Sequence, residues 1–409
     1  MIFKDVILFA LISFGVISAL GLLGKTISSL FVKHSESKPH FNFLTECVLG
    51  TVCAVLFYSA FHTGLVTINF GFLILLSFLL FVNKNMSNYR QETHARFKEM
   101  NTSIYLRVFV LSLLISFFNV IYPLPGSIQN DVLFYTKVAE CLDRVGYENM
   151  YHEYNDLMDI FNGTFPYHYF ELWMGSILFK CLGGFFTNII IFKYVCYTTL
   201  KVFSVLGLLM LIENFKRIIS WTDIFLVSVF SLFNFLYITE IGTNGWILYH
   251  DMWLRPNMVV YMFFLSFFFN FLITKEYANA VLFCLFLPVA TITTAPAILS
   301  GMCLLVIFLF IGKKIQRKSA VVLISAVLVL TAFILAFYSL TTIDTSILMS
   351  DSRSLPELIE HSLSMIKAIL SYLVSLPLRT LSMLLVPCLI LFLLLKNWKE
   401  IVMQNSPLI

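Results

Sequence analysis

Apolar residues are distributed along this chain in long blocks, without the regular polar interruptions of a soluble helix or strand. A helix needs roughly 17 to 25 residues to cross about 30 Å of hydrocarbon. Eleven blocks suit that length: residues 5–24, 43–62, 65–83, 104–122, 186–212, 223–240, 257–274, 277–293, 295–312, 319–340 and 369–395. The pattern predicts an all-α, polytopic transmembrane bundle of about 11 spans, with amphipathic juxtamembrane helices in a long outer loop. It divides into a four-span unit over 1–122, the loop over 123–185 and a seven-span unit over 186–409.

Composition removes the soluble alternative. Of 409 residues, 59% are hydrophobic and 12% charged, against roughly a quarter charged in ordinary globular domains. Lysine and arginine are retained on the cytoplasmic side of spans, and here they gather in alternate connections. Lys25, Lys33 and Lys38 form one group, then Lys84, Arg90, Arg96 and Lys98, then Lys216 and Arg217, then Lys313, Lys314, Arg317 and Lys318, and finally Lys396 and Lys399. All share one side if 186–212 is a single span and 167–182 does not cross. The N-terminus is then expected outside, the C-terminus in the cytoplasm and the 123–185 segment outside. The net charge of +4 belongs to the inner face, so no nucleic-acid partner is implied. Of eight cysteines, six lie within apolar blocks, and no CxxC or other metal-ligand spacing occurs. Neither a disulfide framework nor a zinc site is indicated.

The segment from Tyr122 to Trp173 breaks the apolar pattern. Between Pro123 and Phe165 it holds seven carboxylates (Asp131, Glu140, Asp143, Glu148, Glu153, Asp156, Asp159) against two cations, Lys137 and Arg144. From Asn130 to Val145, Leu133, Val138, Leu142 and Val145 recur at helical spacing with Tyr135 beside them, and Gly146 is placed as a stop. This predicts an amphipathic surface helix with Lys137, Glu140 and Arg144 on its wetter face. Asp131 falls in the first turn of such a helix, where a carboxylate is either a simple helix-end residue or a general base at the rim of an apolar cavity. A second helix is expected to begin after Pro166 and to stop at Gly183-Gly184. On it, His168 and Glu171 are neighbours at i and i+3, suited to proton transfer or hydroxyl binding, or to a surface pair in an aromatic belt with Tyr167, Tyr169 and Trp173.

A second polar concentration lies between Glu240 and Pro256, with Trp246, His250, Asp251, Trp253 and Arg255. Aromatic faces, carboxylates and arginine are what a carbohydrate or pyrophosphate site needs, and interfacial loop ends have the same composition. Inside the spans, ionisable residues are costly and are functional candidates by default. Lys193 and Lys201 are eight residues apart, roughly on one helical face. They could hold a lipid phosphate, snorkel to the interface, or pair with Glu46. Thr291 to Pro296 suits a tight turn between two short spans.

These residues resemble the GT-C superfamily of integral membrane glycosyltransferases. The resemblance rests on Asn130-Asp131 followed by Phe134-Tyr135, the Leu142-x-x-x-Gly146 helix end, Pro166-Tyr167-His168-Tyr169, and the second polar loop around Asp251 and Arg255. It covers residues 120–260. The resemblance implies an enzyme of a bacterial inner membrane. A lipid-linked sugar on a polyprenyl phosphate would be the donor, and an envelope glycan or lipid the acceptor. Asp131 would be the general base. Tyr135, Lys137, His168, Glu171, Lys201, His250, Asp251 and Arg255 would be substrate-binding. No cofactor is expected: a single carboxylate in Asn130-Asp131 permits base catalysis, and gives little support to a metal-assisted mechanism. Four spans ahead of the acidic segment, where the family has one, are a departure. A carrier or flippase of lipid-linked glycans is the competing expectation, and a polysaccharide polymerase the near neighbour of the first.

Overall fold

A computed structural model of the chain describes residues 2–28, 39–62, 102–121, 126–145, 168–215, 219–233, 255–290 and 292–340. The described residues are helical and contain no strand. Among the described residues, six helices are long and apolar enough to cross a membrane: α1 (Ile2–Ser28), α2 (Pro39–His62), α3 (Thr102–Ile121), α6 (Asn188–Glu213), α8 (Pro256–Ile273) and α12 (Arg317–Leu340). The chain is therefore an integral membrane protein. Between the spans lie α4 (Gly126–Val145), α5 (Phe170–Leu182), α7 (Trp221–Phe233), α9 (Tyr277–Cys284), α10 (Leu287–Ala290) and the apolar α11 (Ala295–Ile311). The expected spans at 65–83 and 369–395 fall outside the described residues.

The 186–212 block forms one helix, α6, of 26 residues. α5, with 13 residues, is too short to cross. The 277–293 block is not one continuous helix: it stops at Cys284, resumes for Leu287–Ala290 and tightens into a 3-10 turn at Ile292–Thr294. Pro288 within that run has no N–H to continue the helical ladder. The Tyr261 hydroxyl donates to Thr294 Oγ1 at 3.0 Å and ties this turn to α8.

Helices from all three sequence segments share one hydrophobic core, centred on Trp173, Phe192, Phe203, Phe263 and Phe267. Between α1 and α2 the contact is made by glycine. A Cβ added to Gly24 would lie 1.6 Å from the Glu46 carbonyl oxygen, and one added to Gly50 would lie 2.0 Å from that of Leu20. In lipid, where apolar surface gives helices no reason to prefer each other, such backbone approach supplies the attraction. Inside α6, residues Ile191–Cys196 are wound as a π-helix. The wider turn shifts the register, so the even 3.6-residue spacing that put Lys193 and Lys201 on one face does not apply across it. Lys193 lies over the Tyr194 ring and Lys201 over Tyr197.

The two ends of the bundle are marked by different polar groups. At one end, where α2 and α3 begin and α6 finishes, Glu213 accepts from His40 Nδ1 at 2.9 Å and from the backbone N–H groups of His40 and Phe41 at 3.3 and 3.2 Å. Arg107 reaches His40 Nε2 at 3.1 Å. Arginine carries only donors, so Nε2 accepts and the imidazole proton sits on Nδ1, facing Glu213. At the other end, where α2 finishes and α6 and α8 begin, α4 and α5 cover the bundle.

Candidate functional site

α4 is amphipathic, and its buried stripe consists of Val132, Tyr135, Val138, Ala139 and Leu142. Leu133, expected on that stripe, is instead 42% exposed. The helix begins at Gly126, four residues earlier than Asn130, so Asp131 stands in the second turn and is not a helix-end residue. Pro123 and Pro125 obscure this start in the sequence, while Gly126 and Ser127 allow it. Lys137, Glu140 and Arg144 occupy the wet face as expected.

Asp131 and Arg255 meet. The guanidinium Nε lies 3.0 Å from Asp131 Oδ2, with the two side chains 33% and 26% exposed respectively. Arg255 is the residue just ahead of α8, in extended conformation (φ −69°, ψ 141°), and Pro256 opens that helix. Proline at this position needs no N–H partner and fixes the turn. The arginine side chain makes no capping bond and reaches across to α4. Both side chains are part-exposed, whereas the contacting atoms, Nε and Oδ2, are themselves buried and do not align as a hydrogen bond; an ion pair of this kind adds little stability.

One turn along α4, Tyr135 leads inward. Its hydroxyl lies 3.0 Å from His168 Nε2, and His168 Nδ1 is 3.7 Å from Glu171 Oε1, both side chains being fully buried. The expected surface pair is therefore an interior one. His168 precedes α5, which starts at Phe170, and Tyr169 beside it hydrogen-bonds Ser59 of α2. A separation of 3.7 Å is too long for a hydrogen bond. Burial pushes the Glu171 carboxyl up to about 8, so at neutral pH it is largely protonated and does not form a salt bridge with the imidazole. Both of its oxygens lack a hydrogen-bond partner among the described residues.

That burial has a measurable sign. Below the ordinary value of 4.5 the carboxyl is protonated whether the chain is folded or not; between 4.5 and about 8 only the folded form keeps the proton. Stability falls as pH rises through this window and levels off above it. Glu171→Gln, neutral throughout, is expected to lose less thermal stability than wild type between pH 5 and pH 8 in detergent. Equal losses would show that Glu171 does not titrate in the fold.

Lys201 belongs to a different group. Its Nζ donates to Asn119 Oδ1 at 2.9 Å, Asn119 Nδ2 donates to Thr198 Oγ1 at 2.9 Å, and the ammonium sits 4.3 Å from the Tyr197 ring centroid. Its hydrogen bond joins α6 to α3, not to Glu46 on α2. Lys137 projects from the face of α4 opposite Asp131 and lines a separate cleft with Glu140. His250 and Asp251 lie outside the described residues. The sequence pattern does not single out Asn119, and it marks Asp143 only as one of seven carboxylates; the Asp143 carboxylate accepts from the Tyr58 hydroxyl at 2.8 Å and lies 3.5 Å from Lys180. Asparagine at the end of an apolar block was the available signal for the first. Among the described residues, no cluster of three or more metal-ligating side chains occurs.

The site thus consists of a part-exposed carboxylate–guanidinium ion pair at one end of the bundle, with the buried Tyr135–His168 hydrogen bond and the Glu171 carboxyl behind it. Compared with protein-family models, curated proteins and solved structures, the chain matches none.

Proposed function

We propose that this protein is a membrane glycosyltransferase of the GT-C kind, moving a sugar from a polyprenyl-phosphate donor to an envelope glycan or lipid acceptor. The observation that carries the reading is the Asp131–Arg255 ion pair, which joins α4 to the start of α8 across 124 residues of sequence with both side chains part-exposed. A donor phosphate competes with Asp131 for the Arg255 guanidinium, which suits phosphate as well as it suits carboxylate. Binding of donor then releases the carboxylate beside the reacting sugar. Asp131 takes the proton of the acceptor hydroxyl, and the acceptor oxygen bonds to the anomeric carbon from the face opposite the phosphate. The bond from that carbon to the phosphate oxygen breaks, and its electron pair leaves on the lipid phosphate facing Arg255. The anomeric configuration is inverted. A polymerase would run the same steps with a lipid-linked glycan as both donor and acceptor.

In this reading the full chain has about eleven spans in a bacterial inner membrane. The N-terminus is outside, the C-terminus is cytoplasmic, and the Asp131 end faces outward. The alternative is a carrier of lipid-linked glycans, favoured by the buried Lys201–Asn119–Thr198 group within the spans, since ionisable groups there often mark a transport path. Sealed vesicles containing the purified protein and a polyprenyl-phosphate sugar separate the two. An enzyme given acceptor releases free polyprenyl phosphate, whereas a carrier moves intact donor between leaflets. Movement of donor without cleavage would overturn the transferase reading.

A further inference from the structure

A cleft of about 650 Å³ opens on the side of α4 turned away from Asp131. Leu133, Lys137 and Glu140 form one wall, and the loop residues Gly183, Gly184 and Phe185 form the other. Successive helix residues are about 100° apart, which places that wall roughly opposite Asp131. The cleft also reaches Asn188, where the span α6 begins. A cavity at the mouth of a span lies at the level of lipid headgroups.

Two features distinguish this cleft from a solvated surface. Phe185 is 80% exposed on its rim, an arrangement favourable where the ring enters the acyl boundary and costly in water. The wall also presents both charges side by side. Lys137 and Glu140 are three residues apart, so their Cβ atoms are about 5 to 6 Å from one another, and one wall carries both the cation and the anion that a zwitterionic headgroup needs.

We infer that this cleft binds the headgroup of a membrane phospholipid of the phosphoethanolamine type, with the phosphodiester on Lys137, the ammonium on Glu140 and the acyl chains beside Phe185. The inference stands independently of the transferase reading. It also explains the glycine pair. A Cβ on Gly183 would fall 2.5 Å from the Phe179 carbonyl oxygen, so that position requires glycine to end α5. At Gly184, by contrast, an added Cβ meets nothing within 4 Å, so a side chain there starts into open space at the wall of the cleft.

The test is native mass spectrometry of the full chain in detergent, titrated with phosphatidylethanolamine, with phosphatidylglycerol, or with the former in the presence of millimolar inorganic phosphate. Wild type is expected to retain phosphatidylethanolamine in preference to phosphatidylglycerol. Gly184→Trp should weaken that retention by roughly tenfold, as a steric block does, and Glu140→Gln should abolish the preference between the two lipids. Gly184→Ser, which leaves the cleft open, should behave as wild type and controls for folding. Equal retention by wild type and Gly184→Trp would overturn the proposal. So would a preference for phosphatidylglycerol, or displacement of the lipid by free phosphate, which would make the cleft a simple anion site.

Discussion

Asp131→Asn is expected to lower the rate of sugar transfer by about 10²- to 10⁴-fold, the usual contribution of a positioned general base. The amide keeps the shape of the side chain and removes its ability to take a proton. Asp131 is 26% exposed and lies at the edge of the α4 interface, so thermal stability should stay close to wild type. The loss should appear in turnover at saturating donor, because the acceptor proton moves only in the reacting complex. Transfer within threefold of wild type would remove Asp131 from the chemistry. Loss of transfer together with loss of folding would instead assign it a structural role.

The largest expected effect on stability lies at the far end of the bundle. Glu213→Ala should destabilise the protein by about 2 to 4 kcal/mol, since each buried donor left without its acceptor costs about 1 to 3 kcal/mol. The Glu213 side chain is 3% exposed and that of His40 is 0% exposed. One carboxylate accepts from the His40 ring and from the first free amides of α2, those of His40 and Phe41. Helix starts leave such amides without intrahelical partners, and alanine would leave them unsatisfied, along with the imidazole that Arg107 holds from the other side. Glu213→Gln retains an acceptor oxygen and should cost markedly less. Reversible unfolding in mixed micelles measures both; equal effects would mean that the hydrogen bonds at this helix start contribute little.

The membrane helices were legible because a span requires a long apolar block and little else. Ile2–Ser28, Pro39–His62, Asn188–Glu213 and Pro256–Ile273 all coincide with blocks seen in the sequence. Apolar length alone does not reveal a break, and the interruption of the helix between Cys284 and Leu287 shows in the sequence only through Pro288. Nor does periodicity report a π turn, which is why Lys193 and Lys201 were placed on a common face. At the site, Asp131 and Arg255 could each be singled out by residue type, but their meeting depends on how α4 lies across the start of α8. That is decided by packing between distant segments. The interior position of His168 and Glu171 was hidden by their polarity, since the sequence around them also suits an interfacial belt. The contact of α1 with α2 through Gly24 and Gly50 went unread because the two glycines lie on different spans.

A lipid phosphate is expected to take Arg255 from Asp131. The decisive measurement is the binding of polyprenyl phosphate, without sugar, to wild type, Asp131→Asn and Arg255→Gln. If the phosphate displaces the carboxylate, Arg255→Gln should bind roughly tenfold more weakly, a difference of about 1.4 kcal/mol. Asp131→Asn, in which nothing ionised competes for the guanidinium, should bind more tightly than wild type. Unchanged binding in both variants would contradict the account, because the Asp131–Arg255 pair would then be a surface salt bridge with no part in holding the donor.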